Sequence, residues 1–195
     1  MTTLFLASAS PRRLALLRQI GYSPLPVPTA IDETPLPGED PAAQALRLAM
    51  AKAAAAARER PAALILAADT IVSVDGQAFG KPRDFPSAQE MLEALGGRWH
   101  TVHTAVVVTR SGRNAQCLST SRVQMRRLDA REIAAYWASG EPADKAGAYA
   151  IQGLGALFIT ALEGSYSGVM GLPLFETGQL LGTFGCPPPF LHGLS

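Results

Sequence analysis

Apolar residues alternate between strand-like runs and helical spacing along the chain, and that alternation assigns most of the elements. Leu4, Phe5 and Leu6 form an unbroken apolar run that predicts a buried strand. Ser10 and Pro11 follow as an N-cap and a first helical residue, because serine accepts a bond from a free backbone N–H and proline has none to lose. Leu14, Leu16, Leu17 and Ile20 then supply one helical face, which Gly21 ends. Residues 22–27 have the pattern of a short strand. Asp40 and Pro41 repeat the cap signature ahead of Ala42, Ala45, Leu46, Ala49 and Ala53, which recur at helical spacing, with the helix ending over residues 58–61. Residues 63–68 form a second buried run that leads into Asp69-Thr70 at its end, residues 71–74 continue extended, and Asp75-Gly76 is a hairpin turn. Ser87 and Glu90 have the spacing of a capping box for a helix with Met91, Leu92 and Leu95 on its apolar face and Gly96-Gly97 at its end.

The second half opens on a predicted hairpin. Residues 99–109 run into Val106-Val107-Val108, Ser111-Gly112-Arg113-Asn114 turns the chain, and residues 116–128 alternate through Val123 and Met125. Asp129 and Glu132 form another capping box, for a helix that stops at Gly140. Residues 140–155 lose periodicity but keep aromatic and apolar side chains, a profile of a functional loop rather than of disorder. Residues 156–162 are strand-like, residues 164–174 are rich in glycine, and residues 173–184 predict the last helix. Residues 186–195, with three consecutive prolines, predict a poorly ordered tail. Strands alternating with helices over 195 residues, without an internal repeat or a low-complexity linker, predict one α/β domain or two small lobes.

Composition narrows the function classes. A hydrophobic fraction of 48% is ample for a core, and a net charge of +1 with no basic stripe argues against nucleic acid as a partner. Cys117 and Cys186 match no metal or redox spacing and are expected as free thiols in a reducing compartment. No basic segment followed by an apolar run opens the chain, and no stretch is long enough to cross a bilayer, so a soluble, cytoplasmic protein with no membrane partner is expected.

The candidate chemistry gathers in loops. Small residues from Ala7 to Ser10 lead into a helix N-terminus whose free N–H groups suit phosphate, beside Arg12 and Arg13, which can bond oxyanions through two donors at once. Asp69, at the expected strand exit, can orient water or hold a divalent cation. Glu33 and Asp84 offer further oxygen ligands of the type Mg²⁺ takes, and Lys52, Lys81 and Lys145 can neutralise a polyphosphate. His100 and His103 lie three apart on an alternating strand, so they face opposite ways and cannot share a metal. Neither a Walker A pattern nor a G-x-G-x-x-G fingerprint is present.

Several of these stretches together resemble one family. Leu6-Ala7-Ser8-Ala9-Ser10-Pro11-Arg12-Arg13, Ala68-Asp69-Thr70-Ile71-Val72, Gly80-Lys81-Pro82-Arg83-Asp84 and residues 139–153, extended by Gly164-Ser165-Tyr166 and Gly171-Leu172-Pro173-Leu174, are similar in order to the Maf nucleoside triphosphate pyrophosphatases. The likeness runs from Leu4 to about Leu181. It implies an α/β fold similar to inosine triphosphate pyrophosphatases, with an elongated, curved mixed sheet and flanking helices forming two lobes around a cleft. Residues 1–185 would then be a single domain and residues 186–195 a tail.

The same resemblance implies hydrolysis of a nucleoside triphosphate to the monophosphate and pyrophosphate with a divalent cation, Mg²⁺ or Mn²⁺. Asp69 falls on the family's proton acceptor, and Ser8, Arg13, Glu33, Lys52 and Lys81 fall on positions tied to phosphate, metal or active-site charge. Glu33, Asp69 and Asp84 are the expected metal ligands, and Ser8, Arg13, Lys52 and Lys81 the expected phosphate ligands. Arg12, Thr70 and Gln152 match the positions that divide the family by substrate, and they look like the dTTP and UTP type rather than the 7-methyl-GTP type. Family members are often homodimers, and the family is associated with exclusion of modified nucleotides from nucleic acids and with cell division. The alternatives are a 7-methyl-GTP pyrophosphatase or a non-catalytic, nucleotide- or nucleic-acid-binding regulator of septum formation. The chain departs from the pattern at Ala51, Gly168 and Ala150, and an alanine at 150, where glycine is usual, is expected to affect the loop that carries Gln152.

Overall fold

The computed structural model describes residues 2–191. Its strands are β1 (Leu4–Leu6), β2 (Leu25–Pro26), β3 (Leu64–Val74), β4 (Gln77–Phe79), β5 (Trp99–Arg110), β6 (Arg113–Met125) and β7 (Ile159–Glu163). Its helices are α1 (Pro11–Gln19), α2 (Pro41–Glu59), α3 (Phe85–Leu95), α4 (Ala130–Ala138), α5 (Tyr166–Met170) and α6 (Leu174–Thr183), with short 3-10 turns between α4 and β7. The seven strands make one sheet in the order β2-β1-β3-β5-β6-β7, with β4 folded back on the far end of β3. Pairing is parallel on either side of β1 and antiparallel from β3 to β7, so the fold is mixed α/β, as expected.

The long central strands separate the packing into three groups by simple alternation. On β3, Ile65, Ala67 and Ile71 face α2, against Ala45, Leu48, Ala49 and Ala53. The opposite face carries Leu64, Leu66 and Ala68 under α1 and α6, with Leu16, Leu17 and Leu181. Farther along that same face, Val72 and Val74 pack under α3 and α4, with Leu92, Leu95 and Ile133. Two apolar clusters therefore share one face of the sheet, and Thr70 lies between them. Across the ladder Thr70 stands opposite Thr104, and Thr104 opposite Ser119, so a polar belt crosses the sheet where the clusters part. The short helix α5 lies on this belt. Thr104 donates to the Gly168 carbonyl at 2.8 Å, and the backbone N–H of Ser165 donates to Ser121 Oγ at 2.9 Å.

Several boundaries differ from the sequence reading for identifiable reasons. β3 does not end at Asp69-Thr70. It runs through them, because Asp69 pairs with Ala105 and Thr70 with Thr104 and the ladder keeps the chain extended. The cap of α3 is Asp84, not Ser87. Asp84 Oδ1 accepts the Ser87 N–H at 2.9 Å and Ser87 Oγ accepts the Asp84 N–H at 3.1 Å, which places Pro86 in the first turn, where it is tolerated. The β5–β6 hairpin closes on two residues, Ser111 and Gly112, both at positive φ, so β6 starts at Arg113. β7 begins at Ile159 because residues 154–158 form a 3-10 turn. The Tyr22 hydroxyl donates to the Cys186 carbonyl at 2.7 Å, and Pro188 and Pro189 lie close to Gly178 and Gly21. The remainder of the expected tail, residues 192–195, lies outside the described residues.

Candidate active site

A cavity of about 520 Å³ opens where the two clusters part, lined by the loop after β1, the middle of β3, residues 144–152 and the end of α5. Adjacent residues of β3 point to opposite faces, and this puts two different tasks side by side. Asp69 faces α2, and its carboxylate accepts from Lys52 Nζ at 2.6 Å. The same ammonium reaches Glu33 Oε1 at 2.7 Å, so one lysine joins a buried carboxylate to an exposed one. For Glu33, burial works to raise the carboxyl pKa, but the bond and charge of Lys52, with Lys81 and Arg13, outweigh it and hold the group below its ordinary value.

Thr70 faces the other way, towards α1. Its hydroxyl accepts from Arg13 Nη2 at 3.1 Å and shares a bond with Thr104 Oγ1 at 2.9 Å. Arg13 completes its set with Nη1 on Ser8 Oγ at 3.1 Å and Nε on the Gly171 carbonyl at 2.8 Å. These three partners are neutral, and Asp69 and Glu33 act on the buried guanidinium only through space. Burial lowers its pKa from the ordinary value, yet an arginine stays charged at neutral pH. Ser8 also accepts the Ser10 N–H at 3.1 Å, which shapes the loop into the start of α1, where Ser10 caps the helix on the Arg13 N–H.

The opposite wall is irregular chain. Arg12, at the mouth, donates to Asp144 Oδ2 at 2.9 Å, and Lys145 pairs with the same carboxylate. Gln152 and Lys81 are exposed and line the cavity, and buried Tyr149 lines it too. The Tyr149 hydroxyl bonds His100 Nε2 at 2.8 Å across the apolar cluster, while His100 Nδ1 has no partner among the described residues and burial pulls the ring's pKa down to about 4. His103 bonds Thr120 on the other face, as the spacing predicts.

The structure brings Ser8, Arg12, Arg13, Glu33, Asp69, Thr70, Lys81 and Gln152 to the cavity, with Lys52 behind Asp69. It does not bring Asp84 there. That carboxylate caps α3, and Ser87 holds its pKa below the ordinary value, so the expectation of Asp84 as a metal ligand is corrected. Thr70 is already engaged by Arg13 and Thr104, so it serves the guanidinium directly. Ala150 does not adopt a positive φ. The left-handed alanine is Ala148, buried two residues earlier, so the substitution at 150 leaves the backbone unstrained. Among the described residues no group of three or more His, Cys, Asp or Glu converges as a metal cage. Sequence reasoning missed Thr104, which holds the Thr70 hydroxyl from the neighbouring strand. A polar residue at an apolar register position was the available signal for Thr104.

Residues 3–184 match the family model described as Maf-like protein. A dTTP/UTP pyrophosphatase of Methylobacillus flagellatus is 50% identical over 191 residues, covering 97% of this chain and 96% of that protein. Its counterpart in Nitrosomonas europaea is 51% identical over 191 residues, covering 91% and 92%. A HAM1 protein structure from Coxiella burnetii aligns with a TM-score of 0.48 at 20% identity, over 66% of this chain and 75% of that one. Among the described residues no helix is long and apolar enough to cross a membrane.

Proposed function

The chain belongs to the Maf family, and on that premise we propose that it hydrolyses dTTP and UTP to the nucleoside monophosphate and pyrophosphate. The observation that carries this reading is Arg13, a buried cation beside the cavity whose three bonds go to neutral acceptors. A buried charge is costly unless paired, and a polyphosphate supplies an anion in direct contact with it, where Asp69 and Glu33 act only through space. The relatives named for this activity match nearly end to end, which supports the substrate class.

Asp69 then orients and deprotonates the water that attacks the α-phosphorus. Lys52 fixes that carboxylate from α2. Arg13 and Lys81 bind the phosphate oxygens and stabilise the charge that builds on the departing pyrophosphate, with Ser8 holding the guanidinium in place. Glu33 and Asp69, brought together on one ammonium, fit a divalent cation of the Mg²⁺ or Mn²⁺ type, which takes one or two carboxylates and substrate phosphates. When bound, such a cation polarises the phosphate and neutralises its charge. Gln152 offers a donor and an acceptor in one amide, which suits the 4-oxo and N3–H edge of a pyrimidine, and Arg12 closes the mouth beside it. A homodimer belongs to the same reading, and sedimentation tests it.

The test is pyrophosphate release from a panel of nucleoside triphosphates, methylated ones included, with Mg²⁺ or Mn²⁺. Preferential turnover of dTTP and UTP is expected. Preference for 7-methyl-GTP, or no release from any triphosphate, overturns the assignment.

A further inference from the structure

We propose that Tyr136 and Glu141 are positioning residues for base selection, acting together as a clamp that holds Gln152 at the tip of a closed loop. The proposal rests on the reading of Gln152 as the base-contacting residue and deepens it. Four bonds define the clamp. The Tyr136 hydroxyl donates to Glu141 Oε1 at 2.7 Å and accepts the Ala150 N–H at 3.0 Å. Glu141 Oε1 also accepts the Gly155 N–H at 3.0 Å, and Oε2 accepts the Leu154 N–H at 2.9 Å. The backbone is thus tied two residues before Gln152 and two and three residues after it, to the same hydroxyl–carboxylate pair. The Gly153 N–H closes on the Ala150 carbonyl at 3.2 Å inside this ring.

Three further observations point the same way. A Cβ at Gly153 would overlap the Glu141 carboxylate, and one at Gly155 would stand 2.7 Å from the Tyr136 hydroxyl, so the loop is drawn onto the clamp as closely as glycine allows. Tyr136 is buried edge-on against Phe158, with ring centroids 5.0 Å apart, which anchors the hydroxyl to the apolar cluster. Ala148, in the left-handed region, shows a backbone held in a conformation it would not choose alone. Neither Tyr136 nor Glu141 lines the cavity, so their effect on a bound nucleotide passes through the loop.

A loop reader that wanders loses affinity for the ground state and the transition state alike, which raises KM and spares kcat. The experiment compares the wild type with Tyr136→Phe, Glu141→Gln, Gln152→Ala and the double variant Glu141→Gln/Gln152→Ala. It measures kcat and KM for dTTP by pyrophosphate release and Kd for the non-hydrolysable α,β-imido-dUTP by calorimetry. Tyr136→Phe and Glu141→Gln are expected to raise KM and Kd about tenfold with kcat within about threefold. The double variant is expected to be no worse than Gln152→Ala by more than about twofold, because both changes act through one side chain. Unchanged KM and Kd, a loss confined to kcat, or losses that multiply in the double variant overturn the inference. So does a silent Gln152→Ala measured beside a wild type that turns over dTTP, which leaves the pyrophosphatase assignment standing. A wild type that neither binds nor hydrolyses removes that assignment and the clamp's role with it. Tyr136→Phe keeps the ring packing and carries the test if Glu141→Gln does not fold.

Discussion

The two walls of the cleft are built on different principles. Asp69, Arg13 and Lys52 stand on β3, α1 and α2, where ladder bonds and helix geometry set the direction of each side chain before any side chain bonds another. Gln152 stands on residues 140–155, a run of 3-10 turns and bends whose shape depends on Glu141, Tyr136 and the His100–Tyr149 bond. In the function proposed above, the regular wall carries the groups assigned to the triphosphate, and the irregular wall carries the group assigned to the base. A wall held by side chains can be altered by a few substitutions without moving a strand, so selectivity and chemistry can change independently.

The comparison can be broken first at the regular wall. Asp69→Asn is expected to lower kcat for dTTP by about 10² or more while melting as the wild type does within a few degrees, since the strand ladder survives the change. Near-normal turnover would show that the wall positions substrate without supplying the base. At the irregular wall the expected effect is on stability. His100 is buried with its pKa near 4, so in the unfolded chain it binds a proton at higher pH than in the folded one. Its contribution is complete above about pH 6.5 and is lost as pH falls from there towards about 4. Chemical denaturation at pH 7 and pH 5 should differ by about 2 kcal/mol from this group, and the difference should shrink in His100→Asn. An unchanged slope in that variant would detach the histidine from the loop's pH response. The smallest effect is expected at the mouth. The Arg12–Asp144 pair is solvent-exposed, so Asp144→Ala should change unfolding free energy by no more than about 0.5 kcal/mol, less still at high salt. A loss several times larger would mean that the ion pair, rather than the clamp, holds the irregular wall.

The capped starts of α1, α2 and α4 and the glycine stops were legible because they depend on a few neighbouring residues. Asp84 was misread for the same reason. Its loop position looked free for a metal, but its carboxylate accepts the N–H of Ser87 three residues away. Asp69 was read as the end of a strand because polarity is a local signal, while the partner that keeps the strand going, β5, lies more than thirty residues on.

By itself the sequence determined most of the strands and helices, the caps of α1, α2 and α4, the tight turns and, through its motifs, the family. These follow from periodicity and from bonds made within a turn or two. Only the tertiary structure decided that Asp69 and Thr70 serve opposite faces, that the Arg13 guanidinium meets neutral partners from Ser8, Thr70 and Gly171, and that Tyr136 and Glu141 close the loop around Gln152. Those contacts join residues up to 158 positions apart, and a one-dimensional pattern carries no distance between elements until packing of the apolar faces brings them together.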